Sequence, residues 1–86
     1  MEIIVILHNI RSAHNVGSIF RTADGAGVSK IYLTGHTPAP IDRFGRTQPE
    51  IQKTSLGAAE TVSWEYREDI LALIVALKND GNTIVA

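Results

Sequence analysis

With 86 residues, 44% of them hydrophobic and 20% charged, the chain has the composition of a soluble globular protein and room for one small core. A formal net charge of −1 gives no global pull toward a polyanion, and the absence of cysteine excludes disulfides, thiolate metal sites and a cysteine nucleophile. No apolar run reaches the roughly eighteen residues that span a bilayer. Glu2 stands where a secretory signal would carry basic residues, so the expected location is cytoplasmic.

Charge is distributed less evenly than its sum. Residues 1–53 hold Arg11, Arg21, Lys30, Arg43, Arg46 and Lys53 against Glu2, Asp24, Asp42 and Glu50, a balance of +2. Residues 54–86 hold Arg67 and Lys78 against Glu60, Glu65, Glu68, Asp69 and Asp80, a balance of −3. His8, His14 and His36 also fall in the first half. A basic first half suits a polyanion, although an ordinary mixed surface accounts for it equally well.

The first predicted element is a strand, "EIIVIL", continuous in apolar and β-branched residues as in a parallel sheet covered on both faces. From His14 the period changes. Val16, Ile19, Phe20 and Ala23 recur at i, i+3, i+4, i+7 and predict an amphipathic helix, with Ser12 or Asn15 as its cap and Gly25 and Gly27 as its stop. "KIYLTG" reads as a second strand, and "HTPAPIDRFGRTQPE", with three prolines and one glycine, as a loop. A short helical piece is expected at Pro49 to Ser55. "ETVSWEY" alternates and predicts a third strand. "REDILALIVALKNDG" places acids in a first turn and apolar residues at 70, 73, 74 and 77, the pattern of a second amphipathic helix. "NTIVA" begins a fourth strand.

Strands and helices alternate at βαβ spacing, so the fold class is α/β, a Rossmann-like parallel sheet with flanking helices and right-handed crossovers. Residues 1–86 form a single unit with no internal linker. A chain that ends inside an apolar strand has no helix to cover that part of the sheet. Either that strand closes the fold, at an edge or in the centre of the sheet, or, as is expected here, the chain is an N-terminal portion of one domain, truncated after residue 86.

In open parallel sheets ligands gather beyond the carboxyl ends of the strands, where the stretch "NIRSAHNVGSIFRTADGAG" lies. A helix start there favours an anionic or strongly polar ligand. Neither G-x-G-x-x-G nor a P-loop G-K-[ST] is present, so those two nucleotide sites are unsupported. At about 100° per residue, Val16, Ile19, Phe20 and Ala23 face the core and Arg21 points nearly opposite, beside His14, Gly17 and Asp24. A glycine beside an arginine allows a ligand or a backbone to come close. Alternatives stay open for each: Arg21 as a solvated arginine paired with Asp24, Asn15 as a cap, His14 as a surface histidine. The residues by themselves reach a polar site at a strand–helix junction.

"NIRSAHNVGSIFRTADGAGVSKIYLTG" resembles motif 1 of the SpoU-type RNA methyltransferases in the SPOUT (α/β-knot) superfamily. That motif is N-x-x-x-x-x-R on a strand-to-helix turn, then T-A-D-x-x-G-V leading to a strand and glycine. Asn15 to Arg21, Thr22-Ala23-Asp24, Gly27-Val28 and "KIYLTG" match it in turn. "KTSLGAAETVSWEY" is similar to the segment after the family's variable loop, so the likeness covers essentially the whole chain.

The resemblance implies ribose 2′-O-methylation of transfer or ribosomal RNA with S-adenosylmethionine, by an enzyme whose family members homodimerise. It implies that Arg21 is catalytic, acting on the ribose 2′-hydroxyl, with Asn15 in support. A guanidinium is a poor general base, so the conservative role for Arg21 is to position RNA and polarise the hydroxyl while a phosphate helps remove the proton. Arg11, Arg43 and Arg46 are candidate phosphate contacts and His14 a further RNA-facing candidate; each also reads as an ordinary solvated side chain. The family's later motifs, with a glycine- and glutamate-bearing stretch and an S-L-N-V-S-like knot loop, do not occur before Ala86. No cofactor-binding residue is therefore expected in this chain, no metal site is expected, and the knot region is missing. The expected activity is that of the complete protein, these 86 residues being inactive by themselves. The other readings are a naturally truncated, non-catalytic RNA-binding module and a generic α/β domain with a phosphate ligand.

Overall fold

The structure, a computed structural model, describes residues 2–81 and, as backbone, 83–85. Met1, Asn82 and Ala86 lie outside the described residues, the last two being part of the expected fourth strand. β1 (Ile3–His8) is buried alternately on both faces: Ile4 and Ile6 turn to one side, Val5 and Leu7 to the other. It pairs in parallel with β2 (Lys30–Thr34), Ile4 opposite Lys30 and His8 opposite Thr34.

The helix between them, α1 (Ala13–Ala26), starts at Ser12, whose Oγ accepts from the Asn15 N–H at 3.2 Å. Ser12 is the cap, and the Asn15 side chain is left exposed. Gly25 lies within the helix, and the stop is Gly27 at φ 74°, with the Val28 N–H returning to Ala23 O at 3.0 Å. Val16, Phe20 and Ala23 are buried against the sheet, as their spacing predicts.

α2 (Pro49–Ser55) begins with proline in its first turn and inserts Ile51, fully buried, into the same core. Two left-handed residues, Leu56 and Gly57, lead to α3 (Ala58–Thr61), and β3 (Trp64–Arg67) then pairs in parallel with β2. The expected strand over Glu60–Tyr66 is thus corrected: Glu60 and Thr61 are helical, and the strand begins at Trp64. Burial of Ala58, Ala59 and Val62 beneath α1 outweighs the period-two pattern, and the Val62 N–H is held by Ala58 O at 2.8 Å.

α4 (Ile70–Asn79), capped by Asp69 at the Ala72 N–H, covers the opposite face of the sheet with Leu73 and Leu77 on Ile4, Ile6 and Tyr32. β4 (Thr83–Val85) pairs in parallel with Ile3–Val5, giving the order β3-β2-β1-β4. The order reverses between β1 and β4, so the sheet's topological switch point lies at β1. No helix among the described residues is long and apolar enough to cross a membrane.

α1 meets α2 at Gly17, which is buried. A β-carbon there would stand 1.7 Å from Thr54 Oγ1, 2.9 Å from Thr54 Cβ and 3.1 Å from Ile51 O. The close approach that glycine permits is therefore to α2, not to a ligand. Gly17→Ala gains about 1 kcal/mol of helix propensity but must push α2 away, at a cost of about 1–3 kcal/mol. The expected outcome is a lower thermal midpoint, partly recovered by adding Thr54→Ala. A midpoint raised by Gly17→Ala alone would contradict this packing.

Candidate functional site

Where β1 and β2 end, seven hydrogen bonds tie their carboxyl ends together. Thr34 Oγ1 donates to Leu7 O at 3.3 Å, so the His8 Nδ1–H donates to Thr34 Oγ1 at 2.8 Å. His8 Nε2 then accepts from Asn9 Nδ2 at 3.2 Å, and Asn9 Oδ1 accepts from the His36 N–H at 2.9 Å. Thr37 Oγ1 accepts from the Ile10 N–H and shares its own proton between Leu7 O and Thr34 O. Asn9 is left-handed at φ 55°, and the adjoining Gly35 has no room for a side chain, since a β-carbon would stand 2.1 Å from Asn9 Oδ1. The chain therefore enters α1 from a fixed direction.

His14, Asn15 and Arg21 are all exposed on α1, and Arg11 is exposed in the turn before it. Among the described residues no ion pair involves Arg21; Asp24, which the sequence offered as its partner, accepts instead from Thr61 Oγ1 at 3.4 Å. Asn15 and Arg21 do not share a face, since six residues carry them about 120° apart and about 9 Å along the axis. His14 and Arg21, two turns apart, do.

Arg43 and Arg46 are brought together on a second feature. Ile41 and Thr47 bridge antiparallel, and the five residues between them form a tight turn organised by Asp42. Asp42 Oδ1 accepts from the N–H groups of Phe44 and Arg46, both at 2.9 Å, while Oδ2 binds Arg46 Nε at 2.9 Å. Gly45, at φ 78°, supplies the left-handed residue the turn requires. Phe44 projects from the turn, with the guanidinium carbons of Arg43 and Arg46 at 4.9 and 5.1 Å from its ring centre. The turn borders a cavity of about 460 Å³ whose walls include Pro38, Ala39, Ile41, Phe44 and Tyr66. The Tyr66 hydroxyl donates to Gly35 O at 2.7 Å, which joins this cavity to the strand ends. A second cavity, about 620 Å³, lies at the switch point between α1 and α4 and is lined by apolar residues together with His8 and Lys78.

Residues 2–86 match the SpoU rRNA Methylase family. The chain belongs to that family. It is 36% identical over 62 residues to the 23S rRNA (guanosine-2′-O-)-methyltransferase RlmB of Pectobacterium atrosepticum, covering 72% of this chain and 23% of the relative. To the RlmB of Neisseria meningitidis it is 31% identical over 83 residues, 96% of this chain and 31% of the relative. This SpoU-family chain thus spans about a quarter to a third of the length of the curated relatives it matches. Among solved structures, the SpoU methyltransferase AviRb of Streptomyces viridochromogenes superposes with a TM-score of 0.75 at 19% identity, over 91% of this chain and 28% of that one. The TrmH/SpoU tRNA modifying enzyme of A. aeolicus gives 0.73 at 24% identity, over 93% and 37%. These likenesses establish the fold: a parallel sheet with flanking helices, as the residue pattern and the resemblance both imply.

The donor expected from the resemblance, S-adenosylmethionine, carries a sulfonium, a ribose diol and an amino-acid tail, and needs acceptors for the diol and the ammonium. One cavity offers two guanidinium groups, a carboxylate already bound to Arg46, and the Thr37 and Tyr66 hydroxyls, both already donating to backbone carbonyls; the other offers aliphatic walls, a lysine and His8, whose two ring nitrogens are engaged by Thr34 and Asn9. Neither fits. Among the described residues no group of three or more His, Cys, Asp or Glu is placed to hold a metal ion. Phe44 and Tyr66, which line the first cavity, were not among the residues singled out from the sequence; an aromatic between two arginines in "DRFGR" was the available signal for Phe44.

The Asp42 carboxyl is held below its ordinary value, first by the Arg46 backbone N–H, which outweighs the opposing desolvation, and then by the Phe44 N–H and the Arg46 side chain. A depressed folded-state value means that the turn's stabilisation is fully present above the ordinary carboxylate pKa and is lost as pH falls through the depressed one. Amide resonances of Phe44 and Arg46 are expected to stay constant at neutral pH and to move together only as the pH falls below the ordinary carboxylate range. Movement near pH 6 would contradict this turn.

Proposed function

We propose that the complete protein methylates the ribose 2′-hydroxyl of a cytoplasmic ribosomal or transfer RNA, as a homodimer, and that this chain supplies the acceptor side of the reaction. The observation that carries the reading is Arg21. It is the arginine of the N-x-x-x-x-x-R motif in a SpoU-family chain, exposed on α1 and engaged in no ion pair among the described residues.

A methyl transfer to oxygen asks two things of the acceptor side. The hydroxyl must be aimed along the line of displacement, and its lone pair must be made available as the proton departs. The guanidinium of Arg21 has a planar fork of donors suited to an RNA oxygen pair, which orients the ribose and stabilises negative charge developing on the oxygen. It does not take the proton; an RNA phosphate oxygen is the acceptor in this reading. Asn15, on a different face of α1, supports the RNA and does not join Arg21 at the hydroxyl, while Arg11 and His14 line the same helix start. The proposed donor is S-adenosylmethionine, held by residues other than those described.

Two measurements test this. In the complete protein, Arg21→Ala is expected to lower turnover about 10²–10³-fold while leaving donor affinity within about twofold; unchanged turnover would overturn the role. Calorimetric titration of the 86-residue chain with S-adenosylmethionine is expected to show no binding heat. Micromolar affinity would instead place the donor site within this chain.

A further inference from the structure

The turn between Ile41 and Thr47 presents a benzyl ring to water in a conformation that is fixed rather than incidental. Phe44 is 67% exposed and its neighbours at the cavity mouth, Ile41 and Tyr66, are 48% and 45% exposed. A single exposed apolar residue needs no explanation. Here, though, the backbone that carries the ring is locked by Asp42, both flanking guanidinium groups lie against it, and the opposite aromatic is pinned by its hydroxyl to the end of β2. The result is a flat π-surface beside a cavity of about 460 Å³, rimmed by two cations and one carboxylate that is already paired with Arg46.

That chemistry matches an unpaired nucleotide. A base offers a face for stacking, and its flanking phosphates offer the anionic oxygens that arginine forks recognise. Bases inside an A-form duplex are already stacked and cannot reach the ring. A protein partner would bury about 800 Å² on each side and prefers a wider apolar patch than three side chains ringed by cations. We propose that this turn is an RNA subsite in which one unstacked base lies on Phe44, in the cavity shared with Tyr66, while Arg43 and Arg46 contact the adjoining phosphates. The assignment rests on the RNA methyltransferase reading and narrows it to RNA with unpaired nucleotides beside the target.

The test is fluorescence anisotropy at low salt with three probes: a labelled single-stranded 12-nucleotide RNA of mixed sequence, an abasic oligomer of the same length, and a duplex of the same sequence. Phe44→Leu keeps apolar volume and removes the π-face; because the ring is exposed, the fold should not change. Expected are about a tenfold loss of single-strand affinity, little change for the abasic or duplex probe, and recovery with Phe44→Trp. Arg43→Gln should weaken all three. If the wild type binds RNA but Phe44→Leu changes nothing, or weakens the abasic probe equally, the subsite is overturned while the RNA reading stands. If the wild type binds none of the probes, the RNA reading fails with it. Self-association dissolved by Phe44→Leu, without RNA binding, assigns the patch to a protein contact and overturns the proposal.

Discussion

Because Gly17 has no side chain, the Thr54 hydroxyl and the Ile51 carbonyl occupy the space where a β-carbon would stand. Helices packed so closely fix one another's rotation as well as their spacing. Ile51 and Pro40 are fully buried on the α2 side of this contact, and the Gln48 N–H closes back onto Pro40 O at 2.9 Å. The turn that carries Arg43, Phe44 and Arg46 is therefore suspended between two anchored points. The same contact sets where that turn stands relative to the face of α1 that carries Arg21.

Much of the fold was legible because it is written in local periodicity. The spacing of Val16, Phe20 and Ala23 and the unbroken run at Ile3–Leu7 are statements about faces, and the faces are where they were expected. Glu60 and Thr61 were misread because alternation is ambiguous over so few residues, and the deciding fact, burial of Ala58 and Ala59 under α1, is a long-range one. Gly17 was read as room for a ligand or a backbone beside Arg21, and it is α2 that takes that room; helix geometry gives the direction of a side chain but not what waits there. Arg43 and Arg46 were found by their charge. The Asp42 turn that unites them depends on three hydrogen bonds to one carboxylate, which no composition rule reveals.

The charge asymmetry along the sequence is also modified by folding. Glu65 lies between Arg67 and Lys30 and is held below its ordinary value by both, Arg67 first, so part of the acidic second half is neutralised on the face of the sheet. Such half-exposed pairs contribute little to stability. Their effect is on the field: the carboxylate is screened by two cations, while Arg43, against the Phe44 ring beside the cavity, takes part in none of these ion pairs.

One surface bears on how this chain behaves in solution. α4 buries Leu73 and Leu77, yet Leu71 and Val75 on its outer side are 73% and 59% exposed, with Ala72 and Ala76 beside them. Between Ile70 and Leu77 there is no charged side chain to break that stripe. Apolar area continuous along two helical turns attracts its like, and a net charge of only −1 offers almost no repulsion against it. Over Ile70–Leu77 the side of α4 turned away from the sheet is thus as free of charge as the side packed on it.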